Sequence, residues 1–393
     1  MKILFDFKDM IGGAPRSHLA HMMLLKNNGY DVMATIGDDL EELQKLAVGI
    51  RIIPVTNFMR VKGFKLFNTI RRWVKLINSE KPDIIYSNRI PQFKFLAVVS
   101  DLTGVPLVFA QAGGEANKRN FITMKGKTPI AYSMENKKVF VDAGFSENKI
   151  HVISNRISQS ISNKGEAGFI HGPNCLNVLM VGNIKSATIN GYINFFEFLK
   201  NNSNIINTPF CLKIAGKDIS PESAYESVIS GTIAAINKSL QNTGKIEAPA
   251  WIENIQAIQV KSDVVIGKGR SVIEPAMAGK VCFVLAETGR LTRISPDTFH
   301  SLYEHNFSGR GQQQDNTNDF LQILQEGINN QIAKQAKQVA LYIENAYLLD
   351  YAKEKLVAAF AEAMSQNKKN KIQRFFIGLR RFVCKPSASH ILF

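Results

Sequence analysis

Short apolar runs alternate with segments of helical periodicity through the first 165 residues of the chain. Residues 1–7 predict a buried strand. Residues 15–28 predict a helix, because Leu19, Met22 and Leu25 recur at helical spacing before Gly29. The other strands predicted in this half lie at 30–36, 50–55, 83–87, 105–110, 129–133 and 150–154. Helices are predicted at 64–77 and 93–103, and a further helix ends at residue 143. This alternation is typical of a parallel sheet with helices on both faces.

The same alternation starts again at residue 176, after a polar segment at 155–173 that we interpret as an interdomain linker. Strands are predicted at 176–181, 210–215, 264–266 and 281–285, helices at 193–200, 225–240 and 272–278, and a long helical region at 318–364. We therefore expect an α/β protein with two doubly wound Rossmann-like domains, 1–165 and 166–345, facing a central cleft. A helix at 346–365 is expected to cross back to the first domain, and a basic amphipathic tail follows at 366–393.

Composition is compatible with two ordinary globular domains. The 393 residues are 45% hydrophobic and 21% charged, which argues against a disordered or fibrous chain. The four cysteines are scattered without CxxC spacing, so neither a zinc site nor a redox pair is predicted. The first residues lack a secretory signal pattern, and no run approaches roughly 20 apolar residues, so a cytoplasmic protein without a spanning helix is expected.

The charge balance predicts an anionic partner. Lys and Arg number 48 against 33 Asp and Glu, a formal net charge of +15. Residues 58–75 and 368–385 combine basic side chains with apolar ones, Trp73 among them, a pattern that suits peripheral attachment to an anionic membrane surface. The alternative is a solvated charged face over a stripe that packs on the core. Nucleic acid is not expected, since no recognition motif accompanies the charge.

Several strings occur in the order and spacing of one known class of enzymes. They are GGAPR at 12–16, KPDIIYSN at 81–88, GVPLV at 104–108, NKIHVISN at 148–155, VG at 181–182, IAG at 214–216 and IEPAMAGKV at 273–281. Over about residues 1–365 the chain resembles glycosyltransferases of the GT-B fold, most of all family four, a retaining group that includes capsule, lipopolysaccharide and glycolipid transferases. The resemblance implies transfer of a sugar from a nucleotide-sugar donor to a glycan or lipid-linked acceptor, in bacterial-type surface polysaccharide biosynthesis.

The resemblance also implies a donor site in the second domain. Glu274 matches the family's glutamate that binds the ribose hydroxyls, and a carboxylate can accept two hydrogen bonds from a vicinal diol. Its alternative is a helix-start glutamate favoured by the helix dipole. The turn at Gly267, Gly269 and Arg270 suits anionic oxygens, or simply needs glycine for its dihedral angles. The family's second glutamate is replaced here by Ile266.

The phosphate-binding cations of the family are replaced. Asn183 and Asn190 stand where an arginine and a lysine are usual, and Lys185 is the candidate substitute, with a plain surface lysine as its alternative. A cation there would stabilise the leaving diphosphate, so we expect Lys185 to be catalytic. The full set of expected donor-binding residues is Gly12, Gly13, Arg16, Gly182, Asn183, Gly216, Lys217, Gly267, Gly269, Arg270 and Glu274.

The acceptor side is expected at the end of the fifth strand, in the string QAGGE at 111–115. Many relatives have a histidine where this chain has Ala112. Glu115 is expected to bind acceptor hydroxyls, or to act as a catalytic base if transfer inverts, against the alternative of a loop or helix-capping carboxylate. The expected acceptor-binding residues are Asn88, Arg89, Gln111, Gly113 and Gly114. Neither a metal site nor a cofactor beyond the donor nucleotide is predicted.

Two other functions remain open at this point. Nucleotide-sugar 2-epimerases share the fold, although we find no convincing set of acid and base residues for that reaction. The replaced cations also allow a non-catalytic protein that binds sugar nucleotides and scaffolds a membrane glycan assembly.

Overall fold

The computed structural model describes residues 1–10, 12–56, 64–88, 90–111, 119–158, 175–184, 186–216, 225–240, 243–247, 249–250, 252, 255–310, 315–366 and 377. The chain divides into two compact units. The first comprises Met1–Ser158 with Tyr347–Phe393, and the second comprises Gln159–Ala346.

The first unit contains a seven-stranded parallel sheet in the order β3-β2-β1-β4-β5-β6-β7. Its strands are β1 Lys2–Phe7, β2 Asp31–Ile36, β3 Arg51–Pro54, β4 Ile84–Ser87, β5 Leu107–Gln111, β6 Thr128–Ala131 and β7 His151–Val152. Its helices are α1 Gly13–Asn27, α2 Leu40–Leu46, α3 Phe64–Glu80, α4 Ile90–Thr103, α5 Arg119–Ile122, α6 Met134–Asp142 and, from the end of the chain, α14 Ala352–Gln366.

Successive side chains of β1 are buried on opposite faces of the sheet. Because both faces are covered, the strand is apolar throughout apart from Lys2 and Asp6. Ile3 and Phe5 pack with the apolar faces of α1 and α14, whereas Leu4 packs with α3 and α4. The α14 stripe of Leu356, Ala359, Phe360 and Ala363 recurs at helical spacing and is buried against the first unit's sheet.

The second unit contains a six-stranded sheet in the order β10-β9-β8-β11-β12-β13. Its strands are β8 Leu176–Val181, β9 Phe210–Ala215, β10 Gly244–Ile246, β11 Val264–Gly267, β12 Val281–Leu285 and β13 Leu291–Arg293. Its helices are α7 Ser186–Asn201, α8 Tyr225–Leu240, α9 Ile255–Lys261, α10 Arg270–Met277, α11 Phe299–Glu304, α12 Thr317–Glu326 and α13 Asn330–Tyr347. All its strands pair in parallel except β13, which the periodicity did not predict and which pairs antiparallel to β12.

The long helical region predicted at 318–364 is divided into three helices. Gly327, with φ 78°, ends α12. The carbonyl oxygen of Tyr347 accepts the amides of Arg156 and Ile157 at 2.9 and 3.1 Å, and the Leu349 amide donates to the Ile157 carbonyl at 2.8 Å. These long-range bonds take backbone groups that a continuous helix would use, so α13 ends at Tyr347 and a 3-10 turn precedes α14.

The start of the predicted linker is part of the first unit's core. Asn155, Arg156 and Ile157 are at most 3% exposed, and the Arg156 guanidinium lies 5.2 Å and 5.5 Å from the ring centres of Tyr132 and Tyr347. Residues 159–174 of that segment lie outside the described residues. Across the described part of the chain, the structure contains no helix of the length and apolarity needed to cross a bilayer.

Candidate functional site

Three neighbouring strands of the second sheet end in glycine at the same edge. Gly182 follows β8, Gly216 follows β9, and Gly267 is the last residue of β11. Because β9 and β11 flank β8, the crossover direction reverses here, and ligands of doubly wound domains bind at such a switch point outside the carboxyl ends of the strands. All three glycines were expected at the donor site.

The strand ends approach one another too closely for side chains. A Cβ added to Gly216 would lie 2.0 Å from the Gly182 carbonyl oxygen, and one added to Gly267 would lie 2.9 Å from the Val181 carbonyl oxygen. The buried Tyr192 of α7 donates its hydroxyl to the Gly182 carbonyl at 2.9 Å, and burial raises the pKa of this phenol. The result is a closely packed glycine floor, in which Gly216 and Gly267 are buried and Gly182 is half-buried, so a ligand at this edge could approach the main chain closely.

Glu274 and Arg270 meet on the first turns of α10. The Arg270 Nε lies 2.7 Å from the Glu274 Oε1, and Nη2 of the same guanidinium also contacts that oxygen. Glu274 is 8% exposed, so its carboxylate is held at the rim of the core rather than in open solvent. Arg270 Nη1 is buried and finds no hydrogen-bond partner among the described residues. The pair therefore combines an ion-paired carboxylate with one N–H group that has no acceptor among the described residues.

Two amides at the start of α10 are also unused within the described chain. The Lys268 amide donates to the Ser271 hydroxyl at 3.0 Å, and the Gly269 amide donates to the Phe307 carbonyl at 2.7 Å. The amides of Val272 and Ile273 both reach the Gly269 carbonyl. The Arg270 and Ser271 amides have no acceptor among the described residues, and they lie at the positive end of the helix dipole.

The first unit presents a looser turn at the corresponding edge. Gly12, with φ 92° and ψ −171°, precedes α1, and both Gly12 and Gly13 are exposed. Asn88, directly after β4, donates its side-chain amide to the Ala14 carbonyl at 3.0 Å and so connects that strand end to the start of α1. Arg16 is exposed on the first turn of α1, whereas Gln111 at the end of β5 is only 1% exposed.

A buried carboxylate below this turn escaped the sequence-based assignment of site residues. Asp6 near the end of β1 is fully buried, and it accepts hydrogen bonds from the hydroxyls of Thr35 and Ser87, each at 3.0 Å. These residues come from the three adjacent strands β2, β1 and β4. One signal was available in the sequence, because Asp6 is the only charged residue after Lys2 in the apolar run MKILFDF.

Two histidines of α1 lie beneath the same edge. Burial, with a contribution from neighbouring His21, lowers the pKa of His18 well below its ordinary value, so His18 is neutral at physiological pH. The His21 ring nitrogens lie 3.2 Å from the Tyr86 hydroxyl and 2.9 Å from the Asn155 carbonyl oxygen. These contacts connect α1 to β4 and to the chain segment after β7.

Six expected site residues lie outside the described residues, namely Arg89, Gly113, Gly114, Glu115, Lys185 and Lys217. Asn183 is described, half-buried, and its carbonyl accepts the Thr188 hydroxyl at 3.1 Å. Within the described part of the chain, no group of three His, Cys, Asp or Glu side chains is arranged to hold a metal ion.

The basic face predicted around residues 58–75 is partly core-forming. Trp73 is 2% exposed and packs with Ile70 and Ile77 in the first unit's core, so it is no surface aromatic residue. Lys65, Arg71, Arg72 and Lys75 are exposed on α3, and Phe67 beside them is 54% exposed. Residues 57–63 lie outside the described residues, as does the tail at 368–385 except for Ile377.

Comparison with solved structures defines the class of fold. The crystal structure of Anabaena Alr3699/HepE in complex with UDP has a TM-score of 0.69 and 16% identity, over 92% of this chain and 100% of the other. The lipopolysaccharide outer core galactosyltransferase WaaB has a TM-score of 0.62 and 15% identity, over 92% and 99%. The UDP-GlcNAc 2-epimerase from Neisseria meningitidis, bound to UDP-GlcNAc, has a TM-score of 0.56 and 15% identity, over 92% and 100%.

The chain has the GT-B fold, with two Rossmann-like domains. No protein-family model matches it. No curated protein matches its sequence either. At the identities above, likeness to glycosyltransferases and to an epimerase speaks for the fold alone, so the reaction has to be argued from the site.

Proposed function

We propose that this protein is a glycosyltransferase that transfers a sugar from a nucleotide-diphosphate donor, with UDP as the first nucleotide to test. The observation that carries the proposal is the edge of the second sheet. There the glycine floor, the two helix amides that no described residue accepts and the Arg270–Glu274 pair adjoin one another. A nucleoside diphosphate offers a diol for the carboxylate and anionic oxygens for the N–H groups.

In this proposal Glu274 accepts hydrogen bonds from the ribose hydroxyls while Arg270 keeps hold of its Oε1 atom. Arg270 Nη1, which has no partner among the described residues, and the amides of Arg270 and Ser271 donate to diphosphate oxygens. Gly182, Asn183, Gly216, Gly267 and Gly269 allow close approach. Lys185 and Lys217 would add charge at the leaving diphosphate. Stabilising that developing charge is where such an enzyme gains most of its rate.

The acceptor is proposed to bind at the first unit. Asn88 and Gln111 lie at the carboxyl edge of that unit's sheet, and Arg89, Gly113, Gly114 and Glu115 are close to them in sequence. Gly12, Gly13 and Arg16, which are expected to bind the donor, lie at the same edge, and we propose that they contact the donor's transferred sugar. We propose a glycan or lipid-linked acceptor for a surface polysaccharide and transfer with retention, with Glu115 binding acceptor hydroxyls. Glu115 is the catalytic base in the alternative case in which transfer inverts.

A lipid-linked acceptor would place the protein at the inner face of a cell membrane. Support comes from the exposed Lys65, Arg71, Arg72 and Lys75 of α3 and from the basic residues of 368–385. Each basic residue near an anionic surface contributes about 1 kcal/mol. Deleting residues 367–393, which leaves α14 intact, should reduce sedimentation with anionic liposomes, and added salt should release the intact protein. Unchanged sedimentation in both tests would contradict the membrane contact.

Two alternative functions, a 2-epimerase and a non-catalytic scaffold, each have a specific observation in their favour. The fold is shared with a 2-epimerase, and Asn183 and Asn190 replace residues that the glycosyltransferase resemblance implies as cations, which suits a binding protein without activity. The deciding experiment is a thermal-shift screen of nucleotide sugars followed by product analysis. Transfer to an acceptor or water supports the proposal, an epimerised nucleotide sugar favours the epimerase, and binding without turnover favours the scaffold. A protein that binds no nucleotide sugar would contradict all three.

A further inference from the structure

The loop after α11 contains two consecutive residues with left-handed backbone, Asn306 with φ 54° and Phe307 with φ 52°. The Asn306 amide donates to the Tyr303 carbonyl at 3.0 Å, and the Phe307 amide donates to the Leu302 carbonyl at 2.8 Å. This is the Schellman pattern of a helix end, in which asparagine is a usual residue at the left-handed position. A second left-handed residue with a large side chain is unfavourable, because its Cβ crowds the following carbonyl.

Packing holds Phe307 in this conformation. Its side chain is fully buried, and its ring centre lies 5.8 Å from that of Phe299 in an edge-on arrangement. Two residues on, Gly309 runs so close to the end of β12 that an added Cβ would lie 2.5 Å from the Leu285 carbonyl oxygen. The loop is therefore fixed by a buried ring on one side and by the sheet on the other. Strained backbone of this kind persists only where the surroundings over-determine it, and it clusters at functional sites.

The carbonyl of Phe307 is directed at the start of α10. It accepts the Gly269 amide at 2.7 Å, and Gly269 is the residue that caps this helix. Gly269 has φ 58° and ψ −130°, a conformation that only glycine adopts readily. A Cβ added there would meet nothing nearer than the Asn306 carbonyl oxygen, at 3.8 Å, so the backbone conformation and not crowding makes glycine necessary.

We infer that Phe307 is a positioning residue of the nucleotide site. Its buried ring anchors a strained carbonyl that fixes Gly269, and Gly269 in turn sets where the amides of Arg270 and Ser271 and the carboxylate of Glu274 lie. This inference rests on the proposed function for the identity of the ligand, and on the geometry alone for the positioning itself. Phe307 does not touch the ligand.

The test compares Phe307→Ala with Phe299→Ala. Both variants remove a ring from the same buried cluster, and only Phe307 is bonded to the helix cap. We expect Phe307→Ala to weaken UDP binding by about tenfold or more, since small displacements of binding groups are costly. The affinity of Phe299→Ala should stay within about threefold of the wild type. Both variants are measured well below their melting temperatures. Phe307→Leu, which retains an apolar anchor at this position, should restore most of the affinity.

Hydrogen–deuterium exchange of residues 268–277 gives a readout that needs no ligand. The amides that follow the cap should exchange faster in Phe307→Ala and not in Phe299→Ala. Equal effects of the two variants on exchange and affinity would overturn the positioning role in favour of general packing. If the wild type binds neither UDP nor any other nucleotide of the screen, the proposed function fails, and the exchange measurement still decides whether Phe307 positions α10.

Discussion

Both units carry the same local motif, a strand that passes through a glycine turn into a helix, but the surroundings of the two turns differ. In the first unit Gly12 is exposed, and an added Cβ would meet no described atom within 4 Å. In the second unit Gly267 lies under Ser271, whose hydroxyl would be 2.3 Å from such a Cβ. The second turn is thus closely packed at its strand end, whereas Gly269 at its helix cap is as uncrowded by described atoms as Gly12.

The charges near the two turns differ as well. The second turn has a guanidinium with an unpartnered N–H group, counted over the described residues, and two unused helix amides. Below the first turn lies the buried carboxylate of Asp6 with the hydroxyls of Thr35 and Ser87. N–H groups without a described partner suit the oxygens of an anion even though Glu274 balances the charge of Arg270, whereas the buried carboxylate of Asp6 has no such groups to offer and disfavours an anion. The comparison therefore supports the donor diphosphate at the second unit and a hydroxyl-bearing acceptor at the first.

The largest effect on stability is expected at the glycine floor formed by the strand ends of the second unit. Gly216→Ala should lower the free energy of unfolding by about 3 kcal/mol, because the new methyl group would overlap the Gly182 carbonyl. Gly231→Ala is the matched control in the same unit. It lies on the exposed side of α8 with no described atom in the way, and should raise stability by about 0.5–1 kcal/mol. Chemical denaturation measures both, and equal effects would show that the floor is not closely packed.

Arg270→Ala should lower turnover about a hundredfold, the usual scale for losing a donor to developing charge. Donor affinity should fall less, because the charge grows only as the diphosphate leaves. Arg290→Ala is the control, since Arg290 is 68% exposed in its ion pair with Asp315. Steady-state kinetics with varied donor separates the two parameters. Full activity in Arg270→Ala would mean that the phosphates are held elsewhere.

Glu274→Gln should weaken UDP binding by about 1–3 kcal/mol, the range for a charge-assisted hydrogen bond, with little change in melting temperature. Glu287→Gln, an exposed residue of the same unit, is the control. Isothermal titration calorimetry gives both affinities. Wild-type affinity in the Glu274 variant would remove this residue from the ribose site.

The smallest effect is expected at the open turn. Gly12→Ala should cost about 1 kcal/mol of stability through its glycine-only backbone angles, and should leave UDP affinity unchanged. A loss of UDP affinity as large as that of Glu274→Gln would contradict the proposed difference between the two turns, since UDP binding would then depend on both equally. Thermal denaturation and calorimetry on the same samples decide between these outcomes.

Local patterns predicted most of the strands and helices, because an apolar run or a helical stripe reflects burial that the sheet then satisfies. The correct prediction of β1 and α1 from residues 1–28 depends on nothing outside those residues. The region at 318–364 is helical as predicted, but its last helix begins at Ala352 rather than at 346, since the backbone groups that divide α13 from α14 bond to Arg156 and Ile157, nearly 200 positions away in sequence. Of the two interpretations of residues 58–75, the burial of Trp73 favours the stripe that packs on the core, and only packing on the sheet could decide where this side chain lies.

The sequence by itself determined the two doubly wound domains, the glycines at the strand ends and Glu274 as a candidate donor-binding residue. These features are local, and the Arg270–Glu274 contact could also have been inferred from its spacing of four residues on one helix face. Only the tertiary structure decided that Gly216 meets Gly182, that Thr35 and Ser87 surround Asp6, and that Phe307 holds Gly269. Each of these contacts joins residues far apart in the chain, and its existence depends on which strands become neighbours in the sheet and how closely their ends approach.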